Sequence, residues 1–451
     1  MTVYQQLRNF GLFDARVPRY TSYPTATHFS KAIGPADTND WLCAVPENAT
    51  VSLYVHIPFC RRLCWFCACR TQGTTTLSPV AAYVETLKQE IDLVRARLPA
   101  GVTIEHLHWG GGTPTLLAPN MIRDLADTIF ARLPLAEAAQ FSVEIDPGEI
   151  DEPRLDALSD AGMNRASIGV QDFDPEIQAT IGREQGYDLT RRAVDGLRAR
   201  GISSLNMDIL FGLPHQTGEK ISDSVEKVLS LSPDRIALFG YAHVPWMAKR
   251  QVLIPTDALP TPEARLGLFE TAQQVFLAGG YEEIGIDHFA RPDDGLARAR
   301  REGSLRRNFQ GYTEDTSTVL IGLGASAISR YPQGYAQNAP ATPAYQGAVR
   351  SGRLATSRGH RFAGDDLLRA RMIEMLLCDF EIDFARLETE FGTSARTAAE
   401  MTAPMAAAFP GMTATSDDRF RLRPEARALA RMAARQLDAY EVSQSGHSHA
   451  I

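Results

Sequence analysis

From residue 50 onward the chain alternates two kinds of apolar pattern. Short apolar runs at 51–57, 104–109, 141–145, 165–170, 204–211 and 235–241 have the length of strands. Between them lie helical patterns at 80–98, 119–132, 152–162, 174–182, 188–200 and 218–230. In the first of these, Val84, Leu87, Ile91, Val94 and Leu98 recur at steps of three and four, which puts them on one face. Thr261-Pro262 opens another helix, with Thr as N-cap and Pro at the first helical position, and Gly279-Gly280 closes it. Regular β-then-α alternation implies parallel strands joined by crossovers. Six such units predict an α/β fold, a partial (β/α)6 barrel that stays open. Chemistry in parallel barrels sits at the carboxyl ends of the strands.

The rest of the chain is less regular. Residues 1–45 contain Val17-Pro-Arg-Tyr-Thr-Ser-Tyr-Pro-Thr-Ala26, whose prolines and hydroxyls argue against regular structure. They predict an N-terminal wrap over a core, with Arg19 and Tyr20 reaching a pocket as the alternative. The main unit runs over 46–330, its core over about 46–280, and Glu283–Asp287 and Val319–Gly322 are further strand candidates. Residues 331–364 are rich in Pro, Gly, Ala and Ser and read as a linker. A small, mainly helical C-terminal domain follows at 365–442, with helices at 365–378, 383–392, 395–408 and 424–440 and a short β piece near Phe420. The tail, 443–451, carries His447 and His449 and reads as a disordered end rather than a metal site.

Hydrophobic residues make up 44% of 451, enough for a large core. The net charge of −8 and the lack of a long basic stretch exclude nucleic acid as the expected partner. No window approaches the ~18 uninterrupted apolar residues that span a bilayer, and residues 1–19 show no apolar run of signal type. The expected location is the cytoplasm, away from membranes.

Cysteine usage sharpens the picture. Cys60, Cys64, Cys67 and Cys69 fall within ten residues, directly after the first strand candidate and Pro58. Crowded thiolates repel and oxidise unless a metal centre takes up their charge. Structural zinc sites usually set two close pairs a dozen or more residues apart, whereas here one loop carries all four. Gaps of three and two residues let Cys60, Cys64 and Cys67 wrap one corner of a cube, and Cys69 sits too close to Cys67 to join them. The spacing predicts a [4Fe–4S] cluster with three protein ligands and one open iron.

Other polar motifs fall at strand ends. Gly110-Gly-Gly-Thr-Pro114 is weak alone, a tight turn being the plain reading; beside the cysteine loop it becomes a backbone cradle whose free amides suit a carboxylate. Glu144 ends the third strand candidate and reads either as a holder of a ribose hydroxyl or ammonium group or as a structural acid. Gln171 and Asp208 are polar groups in apolar runs, suited to ligand contacts or to internal hydrogen bonds. Arg183 reads as a carboxylate fork or a surface ion pair. Gly322-Leu-Gly-Ala-Ser-Ala327 mimics a dinucleotide-binding turn, but no Asp or Glu occurs between Asp315 and Asp365, so a nicotinamide site is rejected and a backbone contact to another ligand kept. His56, His108, His243 and His288 read as packing or hydrogen-bonding residues.

Cys-x-x-x-Cys-x-x-Cys after a strand, followed by Gly110-Gly-Gly-Thr-Pro, resembles the radical S-adenosylmethionine superfamily. The added Cys69, Pro18-Arg-Tyr-Thr-Ser-Tyr-Pro and Asn308-Phe-Gln-Gly-Tyr312 make nearly the whole chain similar to the oxygen-independent coproporphyrinogen III oxidases of haem biosynthesis. That resemblance implies cluster ligation by Cys60, Cys64 and Cys67, with Cys69 needed for activity without being a ligand. It implies two S-adenosylmethionine molecules, the first near Tyr54, Phe66, Gly111, Glu144 and Ile328, the second near Gly112, Thr113, Gln171, Arg183, Asp208 and Ala242. The implied reaction turns coproporphyrinogen III into protoporphyrinogen IX: a 5′-deoxyadenosyl radical removes a hydrogen from a propionate β-carbon, and loss of carbon dioxide and one electron leaves a vinyl group, twice. A substrate with four carboxylates calls for cations, with Arg19, Arg291, Arg306 and Arg307 as candidates. An electron donor such as flavodoxin or ferredoxin and a monomeric state are further expectations. The competing readings are a haem chaperone of the same superfamily, a radical enzyme that methylates or opens haem, and a zinc-stabilised structural protein.

Overall fold

The computed structural model of the chain describes residues 2–440 and 448–451. The expected strands form, in chain order, β1 (Thr50–Ile57), β2 (Thr103–Gly111), β3 (Leu135–Ile145), β4 (Arg165–Gln171), β5 (Ser204–Phe211) and β6 (Arg235–Gly240). Each lies parallel to the next. Helices Ser78–Arg95, Pro119–Arg132, Glu152–Asp160, Tyr187–Arg198, Gly218–Ser230 and Pro262–Ala278 occupy the expected stretches. Six more strands extend the sheet: β7 (Glu282–Ile284), β8 (His288–Ala290), β9 (Leu320–Leu323), β10 (Ile328–Tyr331), β11 (Gly334–Asn338) and β12 (Thr356–Arg361) complete an order β12-β11-β10-β9-β1-β2-β3-β4-β5-β6-β8-β7. Both edges stay unpaired with each other, so the barrel is open.

Alternation along each strand decides what the barrel is for. Outward positions such as Val55, Trp109, Phe141, Val143, Ile168, Met207 and Leu238 are buried against Leu87, Ile91, Leu125, Val194 and Val225 of the helices. Each such side chain contributes on the order of 1.5–3 kcal/mol. Inward positions are polar instead: Ser52, His106, His108, Gln140, Ser142, Glu144, Arg165, Ser167, Asn206, Asp208 and Arg235 line a cavity of about 230 Å³. Toward its floor, Arg235 sits between Asp294 (2.7 Å) and Glu314 (3.3 Å), so this buried cation is compensated.

Three stretches depart from expectation. Residues 331–364 are not a linker: β11, helix Thr342–Arg350 and β12 continue the sheet. Their Pro and Gly residues mark the turns of short hairpins, which composition alone confuses with a connector. The strand expected at Glu283–Asp287 stops at Ile284, the end of β7, because Gly285 turns the chain toward β8 where Tyr312 packs. The helix expected over 424–440 shrinks to a tight turn at Pro424–Leu429 and a helix at Ala430–Arg435. Beyond it, Asp438 accepts from the Tyr20 hydroxyl (3.0 Å) and the Ala439 amide donates to that of Tyr23 (2.9 Å), tertiary bonds that outweigh helix propensity.

The N-terminal segment docks mainly on the C-terminal helices. Leu7, Leu12, Phe13, Val17, Tyr20 and Tyr23 share a second core with Met372, Leu376, Phe420 and Leu429. A short sheet of 381–383, 413–415 and 419–422 includes the β piece expected near Phe420. His447 lies outside the described residues; His449 pairs with Arg16. No helix among the described residues is long and apolar enough to cross a membrane.

Candidate active site

The cysteine loop leaves β1 at Pro58 and returns at Gln72–Gly73, which runs parallel to Phe59–Cys60. Its grip on the barrel comes from Trp65, Gln251 and Arg250. Trp65 donates its amide to Ile181 (2.9 Å) and lays its ring on Gly182. Gln251 donates to the Phe66 carbonyl (2.7 Å) and to that of Ala242 (3.0 Å), and Arg250 donates to the Cys69 carbonyl (3.2 Å) and to Thr71 (2.9 Å). The loop is therefore tied to the C-terminal end of helix Pro175–Ile181 and to the segment after β6.

The thiols act on one another. Burial pushes the Cys60 thiol up to about 11, against a hydrogen bond from Thr113. Cys69 gives a hydrogen bond to Cys67, which lowers Cys67 and raises Cys69; the Cys69 amide donates to the same sulfur (3.4 Å). Arg183 places Nη1 3.5 Å from the Cys64 sulfur and 3.3 Å from Asp146. These anionic partners hold its guanidinium above its ordinary value despite burial. Among the described residues no three His, Cys, Asp or Glu side chains close round a single ion. Three thiols carried on one loop, with an arginine donor on one sulfur, fit the thiolate ligation of an iron–sulfur cluster.

Glu144 is the hub of the neighbouring network. Its carboxylate accepts from the Gly111 amide (2.9 Å) and meets His108 Nε2 (3.3 Å). Tyr54 stacks on His108 with centroids 5.9 Å apart and shares a hydrogen bond with His56 (2.9 Å). Tyr54 also pairs across the ladder with Gly322, against which Ile328 packs its backbone. Tyr54, Gly111, Glu144 and Ile328 are thus brought together. Phe66 instead sits beside Ala242, the two carbonyls sharing Gln251. Gln171, held at a left-handed φ of 70°, flanks Gly169, whose carbonyl accepts from Arg183 (2.9 Å). Asp208 lies deeper, accepting from Asn206 (2.8 Å), and burial pushes it up to about 6.

The glycine motif works differently from the expected free cradle. Gly111 spends its amide on Glu144, Gly112 on the Ile57 carbonyl (2.9 Å) and Thr113 on that of Phe59 (2.8 Å). The motif therefore stitches β2 to the root of the cysteine loop. At Gly111, φ is 105° and a Cβ would lie 2.3 Å from the His56 ring, so only glycine passes there. Likewise, the Gly322–Ala327 turn gives its Gly324 amide to Glu90 (2.7 Å) and its Ala325 amide to Tyr83 (2.8 Å), leaving neither for a ligand.

The arginine candidates separate. Arg19 and Arg307 lie at the carboxyl end of the barrel, Arg19 donating to Gly240 at the end of β6 (2.6 Å). Arg291 is at the opposite end, beside Asp234 and half exposed near Asp293, and Arg306 is paired with Glu374 (3.2 Å). The four histidines hydrogen-bond as expected, to Tyr54, Glu144, Tyr241 and Asp287. Sequence reading missed Asp146, Arg250, Gln251 and the specific service of His108. Asp146 follows β3 immediately, a strand-end position; His108 is an inward position of β2. Arg250 and Gln251 carry no such signal, since only folding brings their loop to the cysteines.

Residues 54–228 match the radical SAM superfamily. An oxygen-independent coproporphyrinogen III oxidase of Paracoccus denitrificans is 60% identical over 99% of both chains, and one of Escherichia coli K12 is 41% identical over 83% of this chain and 81% of its own. The solved structure of the Escherichia coli coproporphyrinogen III oxidase, titled a radical SAM enzyme, superposes with a TM-score of 0.88 at 37% identity, covering 94% of this chain and 98% of that one. With matches of this extent and a cysteine loop set at the open end of the barrel, the chain belongs to the oxygen-independent coproporphyrinogen III oxidase family of radical SAM enzymes.

Proposed function

We propose that this chain catalyses the anaerobic oxidative decarboxylation of two propionates of coproporphyrinogen III to vinyl groups, giving protoporphyrinogen IX. The observation that carries the reading is the convergence of Cys60, Cys64, Cys67 and Glu144 at one end of a polar barrel, in a chain with full-length relatives of that activity. Cys60, Cys64 and Cys67 are the residues to hold a [4Fe–4S] cluster. Tyr54, Phe66, Gly111, Glu144 and Ile328 are those for a first S-adenosylmethionine, and Gly112, Thr113, Gln171, Arg183, Asp208 and Ala242 those for a second. Cluster and S-adenosylmethionine together supply one-electron chemistry strong enough to take a hydrogen atom from an unactivated carbon.

The chain's own residues do the positioning. Glu144, fixed by His108 and the Gly111 amide, presents a negative charge to a cationic ligand. Arg183 bridges the Cys64 sulfur and the Asp146 carboxylate and stabilises negative charge on both. Cys69 donates a hydrogen bond to the Cys67 sulfur, a contact open to a residue that serves the cluster without ligating it. Phe66 packs toward Tyr241 and Ile254 of the segment after β6, and Trp65 covers the loop at Gly182. A reducing partner such as flavodoxin or ferredoxin, a monomeric state and a cytoplasmic location complete the reading.

The test is anaerobic reconstitution with iron and sulfide, followed by incubation with coproporphyrinogen III, S-adenosylmethionine and reductant. Carbon dioxide and protoporphyrinogen IX are the expected products. Serine at Cys60, Cys64 or Cys67 should abolish the cluster's visible absorption, whereas Cys69→Ser should keep it and lose turnover. Haem bound one to one without turnover would sink the oxidase reading in favour of a haem carrier.

A further inference from the structure

Four arginines from distant segments meet at the mouth of the barrel beside β5 and β6. Arg265 donates to the carbonyls of Tyr241 (2.7 Å) and Gly212 (3.4 Å), just past the two strand ends. Arg307 donates to the carbonyls of Arg19 (3.0 Å) and Tyr20 (2.6 Å), and Arg431 to that of Val17 (2.9 Å). Arg19 lies among them. The carboxylate felt by Arg19, Arg307 and Arg431 is Asp287, itself already bonded to His288 Nδ1 (2.7 Å). Burial and mutual repulsion pull Arg265 down to about 10 and Arg431 to about 9, so the gathering is costly as it stands. Arg265 also donates to the Ile451 carbonyl oxygen (3.1 Å), but one side-chain carboxylate against four guanidinium groups leaves positive charge over, which suits an anionic ligand.

Two details show where that anion goes. Arg19 is exposed and spends one N–H on Gly240, leaving the rest of its five donors available. Arg307 Nε is buried without a partner. The neighbouring Tyr20, with a left-handed φ of 48°, turns its own side chain the other way, into the C-terminal core, and so leaves Arg19 facing the mouth.

Resting on the substrate reading above, we propose that Arg19, backed by Arg265, Arg307 and Arg431, clamps the two propionates of coproporphyrinogen III that are not decarboxylated. A propionate that reacts gives up its negative charge as it leaves as carbon dioxide. A guanidinium clamp stabilises that charge in the ground state more than in the transition state, and so slows the group it holds. The clamp therefore suits the two carboxylates that survive, and it presents the opposite side of the macrocycle to the cysteine loop.

The test is equilibrium titration of the reconstituted full-length protein with two air-stable porphyrins, followed by fluorescence. Coproporphyrin III carries four propionates; mesoporphyrin IX carries only the two that correspond to the survivors. Arg19→Gln should weaken both by the same factor, about 10- to 100-fold for a lost charged hydrogen bond. Arg19→Lys should recover part of the loss, and Arg291→Gln, at the far end of the barrel, should change neither. Unaltered binding of both porphyrins by Arg19→Gln overturns the proposal. So does weaker coproporphyrin with unaltered mesoporphyrin, which would put the clamp on the reacting pair. Wild-type protein that turns over coproporphyrinogen III while Arg19→Gln binds normally sinks the clamp alone; wild-type protein that never turns it over sinks the substrate reading.

Discussion

Glu90 shows how one side chain can tie three segments together at a cost. Its buried carboxylate accepts from the Gly324 amide, the Asn338 side chain and the Tyr345 hydroxyl, each at 2.7 Å. Burial still pushes it up to about 7, from 4.5, against those bonds. A carboxyl raised in the folded state costs nothing below its unfolded value and its full penalty above its folded one. Stability should therefore fall as pH rises from about 4.5 to about 7, by roughly 3 kcal/mol. Glu90→Gln lacks that dependence, so its unfolding free energy relative to wild type should rise across the same window. A difference that stays flat with pH would remove Glu90 as the cause. At this scale the sequence spoke unevenly. The cysteine spacing declared itself, because a cluster needs several thiols from one loop. The partners of Glu144 did not, although His106 and His108 occupy alternate positions of β2 and so share its inward face.

The cysteine loop is the element that the rest of the site depends on, and Trp65 is its clasp. Gly182 ends helix Pro175–Ile181 at a φ of 68°, and a Cβ there would come within 2.9 Å of the Trp65 ring. Gly182→Ala combines a left-handed penalty of about 1–2 kcal/mol with displacement of that ring. The expected result is a red-shifted tryptophan emission and a clear loss of bound iron after desalting. Unchanged emission and iron content would show that Arg250 and Gln251 hold the loop unaided. Elements inside the β/α alternation were legible because each needs its own apolar face. The hairpins of 331–364 were not, since their strands are four to six residues long and gain their stability from β9, already in the sheet.

At the scale of the whole molecule, the described residues form two main cores, one behind the barrel strands and one that joins the first and last parts of the chain. Leu12 is fully buried in the second. Leu12→Ala should cost about 2–5 kcal/mol, and hydrogen exchange should quicken in helix Asp366–Asp379 as well as near residue 12, because Leu376 and Leu12 share that core. Faster exchange confined to the N-terminal segment would show that it docks without supporting its neighbour. The barrel could be read from local periodicity; this joint could not, since it depends on contacts between residues more than 350 positions apart.

Arg431 gives that joint a temporal meaning. It holds the carbonyls of Val17 and Pro18 with one side of its guanidinium and those of His449 and Ala450 with the other. A chain emerging from the ribosome can wind its strands long before it can make those bonds. Until synthesis passes Arg431 the vessel has walls and no rim, and whatever loads the cysteines meets it with the lip unmade.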